Sequence, residues 1–90
     1  MHSHLITYDL IGQKNRDYEN ISEKIKNYPR WAHVLESAWI VKSEKSTKEI
    51  RDELLSFIDN NDRLFVSQLT GQCSWNNLNN ELSHWLHNHV

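Results

Sequence analysis

Asp9 is the residue whose type and position best fit metal chemistry. It lies near the end of an alternating stretch, residues 4–10, and is the only carboxylate inside a predicted strand. A carboxylate at the carboxyl end of a strand can hold Mg²⁺ together with water molecules and a phosphate. Hydrolases that use two metal ions need more acidic ligands than one per chain. A structural alternative therefore stays open, in which Asp9 caps the following loop or pairs with Lys14 or Arg16.

Aromatic residues suggest a second kind of chemistry, because the chain contains four Trp and three Tyr. Every nucleic-acid base offers a π-face, and one base stacked on an aromatic ring contributes about 1 to 3 kcal/mol. We select Tyr8, Trp31 and Trp39 as stacking groups, with Ser37 and Arg16 as phosphate contacts. The alternative for each ring is a place in the core or in a dimer interface. For Ser37 the alternative is a hydrogen bond to its own backbone.

Histidines near the C-terminus have a spacing that permits shared metal ligation, since His84 and His87 are three apart and His89 follows. No cysteine or carboxylate completes that set, and a solvent-facing helix end explains the pattern equally simply. His33 is a candidate general base if the fold brings it near Asp9.

The predicted helices and strands determine where these residues lie. The elements are a strand at 4–10, a helix from about 15 to 28, a short strand, a bend and a longer strand within 31–42, a helix at 46–58 that opens with the capping box of Ser46 and Glu49, a strand at 64–69 and a C-terminal helix at about 75–88. This β-α-β-β-α-β order predicts one ferredoxin-like domain over residues 1–90, an α+β sandwich with a four-stranded antiparallel sheet and two helices on one face.

The second face of that sheet needs a cover, a partner or a ligand. Alternation along the strands predicts that it carries Thr7, Asp9, Ser37 and Trp39, so we expect function there. The short C-terminal helix is expected to cover either this sheet or a neighbouring subunit.

Charge and composition narrow the classes of partner. Ten basic and twelve acidic residues give a formal net charge of −2, with no long basic run, which excludes a strongly electropositive scaffold for long duplexes. The single Cys73 cannot form an internal disulfide, and no signal peptide or membrane span is apparent, so the cytoplasm is the expected compartment. A domain of this size buries only about 60 to 65% of its unfolded surface, so a partner subunit would help.

Four short pieces of the sequence, in their order, resemble the CRISPR-associated Cas-two family and, more closely, its small SinR-like relatives. The pieces are residues 5–10, 15–18, the 33–41 hairpin with its Ser37, and 61–64. The resemblance implies a ferredoxin-like homodimer in which two copies of Asp9 face each other across a cleft and bind a divalent metal, some members cleaving RNA or DNA. The chain departs from the family after residue 75, where a helix bearing Trp and His replaces the usual closing strand.

Three functional hypotheses follow. The first is a homodimer that binds a nucleotide or single-stranded nucleic acid, with a role in phage defence or counter-defence. The second is an Mg²⁺-dependent endonuclease, acting on RNA or DNA, that uses paired Asp9 carboxylates. The third is a protein-interaction module or inhibitor that docks through an exposed strand or the Trp-bearing helix.

Overall fold

The structure is a computed structural model that describes residues 1–12 and 14–90, with Lys14 and Asn15 described by their backbone alone. Its elements are β1 (His2–Asp9), α1 (Lys14–Ile25), β2 (Arg30–Leu35), β3 (Ala38–Ser43), α2 (Thr47–Leu55), β4 (Arg63–Gln68) and α3 (Asn80–His89). The strands lie in the order β2-β3-β1-β4, and each neighbouring pair is antiparallel. The α+β class and the four-stranded antiparallel sheet are therefore confirmed, and the architecture is compatible with a ferredoxin-like fold.

One face of the sheet packs against α1 and α2. Ile6 of β1 lies at the centre of this core, opposite Trp39 on one side and Val66 on the other. The helices contribute buried aliphatic side chains, among them Ile21 of α1 and Ile50 of α2. Fully burying one such side chain contributes about 1.5 to 3 kcal/mol, so this layer supplies most of the stability of a small domain.

The prediction that Trp39 lies on the open face of the sheet is wrong. Directly opposite residues of an antiparallel pair share a face, and Trp39 pairs with Ile6 in β1. Its side chain is consequently in the helix-covered core, only 1% exposed. A one-residue change of register moves every side chain of a strand to the other face, and the sequence alone did not fix the register of the hairpin.

Helix boundaries follow from their caps. The capping box that opens α2 is confirmed, because the Ser46 hydroxyl accepts from Glu49 N at 3.1 Å and the Glu49 carboxylate accepts from Ser46 N at 3.0 Å. The C-terminal helix begins later than predicted. Asn77 has a left-handed φ of 63°, which does not fit a helix, and Asn79 caps α3 by accepting from Leu82 N at 2.8 Å.

The helix α3 lies on the second face of the sheet, over its β2 side. It contacts β2, and Ala32 and Ile40 on that face are buried. Its C-terminal end is held by Ser3 of β1, whose hydroxyl donates to His89 O at 2.7 Å. The face is left uncovered beside β4, where the Phe65 side chain is 62% exposed. Within the described part of the chain, no helix is long and apolar enough to cross a membrane.

Candidate functional site

The predicted site residues separate toward two ends of the sheet. Strands β1 and β2 are both antiparallel to β3, so they run parallel to each other. Trp31 lies at the level of His4, whereas Asp9 is five residues further along β1. At about 3.4 Å per residue this separates Trp31 from Asp9 by about 17 Å along the strands. One small ligand therefore cannot contact both.

Tyr8 and Trp39 belong to the core. Tyr8 is 6% exposed, and its hydroxyl accepts a hydrogen bond of 2.8 Å from Trp39 Nε1. Burial raises the pKa of Tyr8, and the hydrogen bond from Trp39 partly opposes this. Neither ring has a free face, so the expectation that they stack on a ligand does not agree with their positions.

Asp9 is exposed at the end of β1, where its Cα partner in β4 is Arg63. Both residues line a shallow cavity of about 180 Å³, together with Thr7 and the exposed Phe65. A carboxylate beside a guanidinium can bind a polar ligand, but this cavity brings no second carboxylate of the same chain to Asp9. Its use as a metal site therefore requires a second copy.

Arg16 and Ser37 make local contacts at the same end of the sheet. Arg16 is largely exposed, and its Nε lies 4.0 Å from Asp17 Oδ1. The Ser37 hydroxyl is 3.4 Å from the Tyr18 hydroxyl, and Ser37 O accepts from Tyr8 N at 3.2 Å. Ser37 thus braces the β2–β3 turn, while Arg16 stays free to reach solvent.

A groove of about 380 Å³ lies between the edge strand β2 and α3. We call it the β2–α3 groove, and it is lined by Trp31, Ala32, His33, Asn79, Glu81, Leu82 and Trp85. Trp31 and His33 pair with Val41 and Trp39 and so lie on the helix-covered face, whereas Trp85 belongs to α3 on the other face. The groove therefore follows the edge of β2, between the two faces. Trp31 was selected from the sequence, and His33 lies two positions further along the same strand. Trp85 joins them only because α3 folds back over β2.

The His33 and Trp31 rings are held in place by contacts with neighbouring side chains. His33 stacks on Trp39 with a centroid distance of 3.9 Å and an interplanar angle of 4°. Its Nε2 is 2.9 Å from Glu36 O, which orients the imidazole. Lys26 Nζ lies 5.6 Å from the centroid of the Trp31 ring, a cation–π contact. The groove is therefore a positioned aromatic surface with a cation at its margin.

Two of the C-terminal histidines pack against different tryptophans. His87 packs edge-on against Trp75, and His89 packs against Trp85, each with a centroid distance of 4.8 Å. Burial lowers the pKa of His89, and the charges of Arg30 and Lys42 lower it further. Among the described residues the histidines form no group with the spacing of metal ligands.

Three carboxylates that no sequence pattern links, Asp17, Asp59 and Asp62, form a cluster that we call the acidic cluster. One carboxylate oxygen from each lies within 4.8 Å of the others. The residues come from the first turns of α1 and from the turn between α2 and β4. In the sequence Asp59 and Asp62 have the pattern of polar turn residues, and no neighbour of Asp17 indicates that it is buried.

Asp62 is the best-connected member of the acidic cluster. Its Oδ1 accepts from Ile11 N at 2.6 Å and Gly12 N at 2.9 Å, and its Oδ2 accepts from Asp59 N at 2.8 Å. Burial opposes ionisation, but these donors outweigh it and hold the pKa of Asp62 at about 2. The carboxylate thereby ties the loop after β1 to the turn before β4.

Asp17 has the opposite electrostatic character. Burial raises the pKa of its carboxyl; its proximity to Asp62 and the charge of Asp59 act in the same direction, while Arg16 opposes them. When protonated, Asp17 can donate to Asp62. When ionised, it is a buried charge that needs a cation.

No protein-family model matches the chain. The geometry of the β2–α3 groove, the Asp9 cavity and the acidic cluster is therefore what carries the assignment of function.

Proposed function

We propose that the protein is a homodimer that binds a nucleotide or single-stranded nucleic acid, with a base held in the β2–α3 groove. The observation that carries this proposal is that Trp31, His33 and Trp85 all border one cavity of about 380 Å³ at the edge of β2. That volume is within the range of about 300 to 1,000 Å³ typical of small-molecule sites. An aromatic-lined groove of this size suits a flat heteroaromatic ring.

The polar groups of the groove fit the edge of a base. Asn79 offers both a donor and an acceptor, and Glu81 offers acceptors for exocyclic amino groups. Because Asn79 also caps α3 through its Oδ1, its amide nitrogen is the group left to face a ligand. A base would therefore stack on an indole while its edge meets these two side chains.

Basic residues at the margin suit the phosphate of such a ligand. Lys26 lies over the Trp31 ring, and Arg30 begins β2 immediately before it. Phosphate contacts of this kind position a ligand without reading its sequence. Few such groups and a net charge of −2 favour a short ligand over a long duplex.

A second copy would cover the exposed part of the open face. A row of cross-strand neighbours crosses the sheet there, running from Leu35 through Ala38 and Thr7 to Phe65. Its two ends, Leu35 and Phe65, are each 62% exposed. Two such rows packed together would bury the apolar ends. The same contact is what a ferredoxin-like homodimer with neighbouring Asp9 residues requires, and we assign the fold to that class.

An Mg²⁺-dependent endonuclease is the second candidate, and the exposure of Asp9 beside Arg63 favours it. Paired Asp9 carboxylates would hold the metal, and the two Arg63 guanidinium groups would meet the phosphate. The two candidates differ in where the ligand lies and in whether it is turned over. The metal site of the endonuclease requires the homodimer, whereas the groove is lined by residues of one chain.

Removal of the Trp31 ring tests the first candidate. We expect native mass spectrometry to show a dimer that binds mononucleotides or short single strands, and Trp31→Ala to weaken binding about 5- to 150-fold, equivalent to 1 to 3 kcal/mol per stacked base. Phe57→Ala, which removes an exposed ring far from the groove, is the matched control and should bind normally.

The Asp9→Asn variant separates the candidates. If nucleic acid is cleaved only with Mg²⁺ and Asp9→Asn abolishes cleavage, the endonuclease replaces the binding protein. A monomer that binds no nucleotide contradicts both.

A further inference from the structure

The acidic cluster joins three parts of the chain that are distant in sequence. Asp17 belongs to α1, whereas Asp59 and Asp62 belong to the turn between α2 and β4. The Asp62 carboxylate also binds the backbone of the loop after β1. A ligand bound here would therefore hold two connections of the sheet together.

Asp17 is a buried carboxylate with an unused oxygen. The residue is 2% exposed, and its Oδ2 has no hydrogen-bond partner among the described residues. Its Oδ1 lies 4.0 Å from Arg16 Nε, a long contact with a guanidinium that is 62% exposed. An ionised carboxylate buried without a partner is costly, so Asp17 requires either a proton or a cation.

Asp62 presents a preorganised ligand beside Asp17. Three backbone N–H groups fix its carboxylate and use three of its approximately four acceptor positions. The remaining position is on Oδ2. Rigid carboxylate oxygens at this mutual spacing, within 4.8 Å, suit the oxygen shell of a hard divalent cation, whose bonds are about 2.0 to 2.6 Å long.

A cavity beside the acidic cluster leaves room for the remaining ligands of a bound cation. A cavity of about 190 Å³ is lined by Asp17 and Asp59, with Asn20 and Ser56 adding polar atoms. Mg²⁺ keeps several water ligands, and Ca²⁺ takes six to eight oxygens in all, so such a cavity is needed. Ser56 also ends α2, and the negative end of a helix favours a cation nearby.

We propose that Asp17, Asp59 and Asp62 bind one hard divalent cation, Mg²⁺ or Ca²⁺, which fastens the loop after β1 and the start of α1 to the turn before β4. The cation compensates the unpartnered Asp17 oxygen and completes its shell with water from the adjoining cavity. The site is separate from Asp9 and from the β2–α3 groove, so it does not depend on the function proposed above.

Titration of the chelator-treated protein with MgCl₂ and CaCl₂ at constant ionic strength tests the proposal. We expect calorimetry to show one cation per chain and thermal unfolding to shift upward by several degrees at saturation. In Asp17→Asn we expect the affinity to fall more than about tenfold because one anionic ligand is lost. The Asp17→Asn amide can still donate to Asp62, so this variant keeps the loops together and folds.

Asp52→Asn is the matched control, since Asp52 is exposed and pairs with its neighbour Arg51. It should retain the full response to both cations. An unchanged melting temperature and no heat of binding at millimolar cation would overturn the proposal, leaving a proton between Asp17 and Asp62 as the compensating group. Equal responses from wild type, Asp17→Asn and Asp52→Asn would overturn it as well, because they indicate non-specific screening. Nucleotide binding measured without cation is unaffected by either result.

Discussion

The two ends of the sheet carry different kinds of side chain, and different contacts bring those side chains together. At the end where β2 begins, exposed rings of an edge strand meet α3 in an aromatic groove. At the end where β1 finishes, three carboxylates from two segments, α1 and the turn between α2 and β4, meet beside the loop after β1. The groove depends on how a terminal helix packs, whereas the acidic cluster depends on hydrogen bonds between two loops. Variants at each end should therefore have separable effects.

Trp39 lies between the groove and the core, so we expect its removal to have the largest effect of any single substitution. It carries the stacked His33 of the groove and donates to Tyr8 in the core. We expect Trp39→Ala to lower the free energy of unfolding by about 3 to 5 kcal/mol because it leaves a large cavity, enough to unfold much of a small domain. Urea unfolding followed by circular dichroism measures the loss.

Trp39→Phe keeps a six-membered ring under His33 but removes the indole N–H, which donates to Tyr8, together with part of the ring volume. It should cost less than Trp39→Ala and leave the groove usable. The exposed Phe57→Ala serves as the comparison for loss of an aromatic ring, with an expected change within about 0.5 kcal/mol. A loss as large as that of Trp39→Ala from Phe57→Ala would show that the core is not where the structure puts it.

Local patterns in the sequence predicted the element order well, for reasons that are themselves local. The capping box at Ser46 and the alternation along β1 involve neighbours in the chain, and both are found in the structure. The face of Trp39 was mistaken because hairpin register is set by pairing across strands. A bulge between His33 and Leu35 makes that register irregular.

The candidate sites were predictable only where residue type alone is informative. Trp31 was chosen as a large ring and does line the groove, but Trp85 could not be predicted beside it because no local pattern places α3 over β2. Asp17 and Asp62 are 45 positions apart by number, and no periodicity links them. A single sequence does not predict that a carboxylate is buried when its neighbours lie in a distant segment of the chain.

Asp62→Ala tests whether the acidic cluster is independent of the groove. It removes the acceptor of three backbone N–H groups, and we expect a loss of about 1 to 3 kcal/mol in the free energy of unfolding. Hydrogen exchange should increase at Ile11 and Asp59 while the groove strand β2 stays protected. Exchange that increases equally in β2 would mean that the two ends are not independent.

The smallest expected effect is a pH dependence at the groove end, from His4. This side chain is buried, and neither ring nitrogen has a hydrogen-bond partner of good geometry among the described residues. Burial is the main cause that lowers the pKa of His4 below its ordinary value of 6.5. The unfolded chain therefore takes up the proton first, so stability is full above pH 6.5 and falls as the pH drops from there toward the folded-state pKa.

His4→Leu should flatten the part of the stability profile that begins to fall just below pH 6.5, as measured by urea midpoints at closely spaced pH values. His84→Gln, on the exposed side of α3, is the control and should keep the wild-type slope. The acidic end responds in a different window, because the low pKa of Asp62, about 2, makes its contribution fade only as the pH falls below about 3.8. A profile in which His4→Leu retains the wild-type slope would place the protonated group elsewhere and show that His4 is solvated.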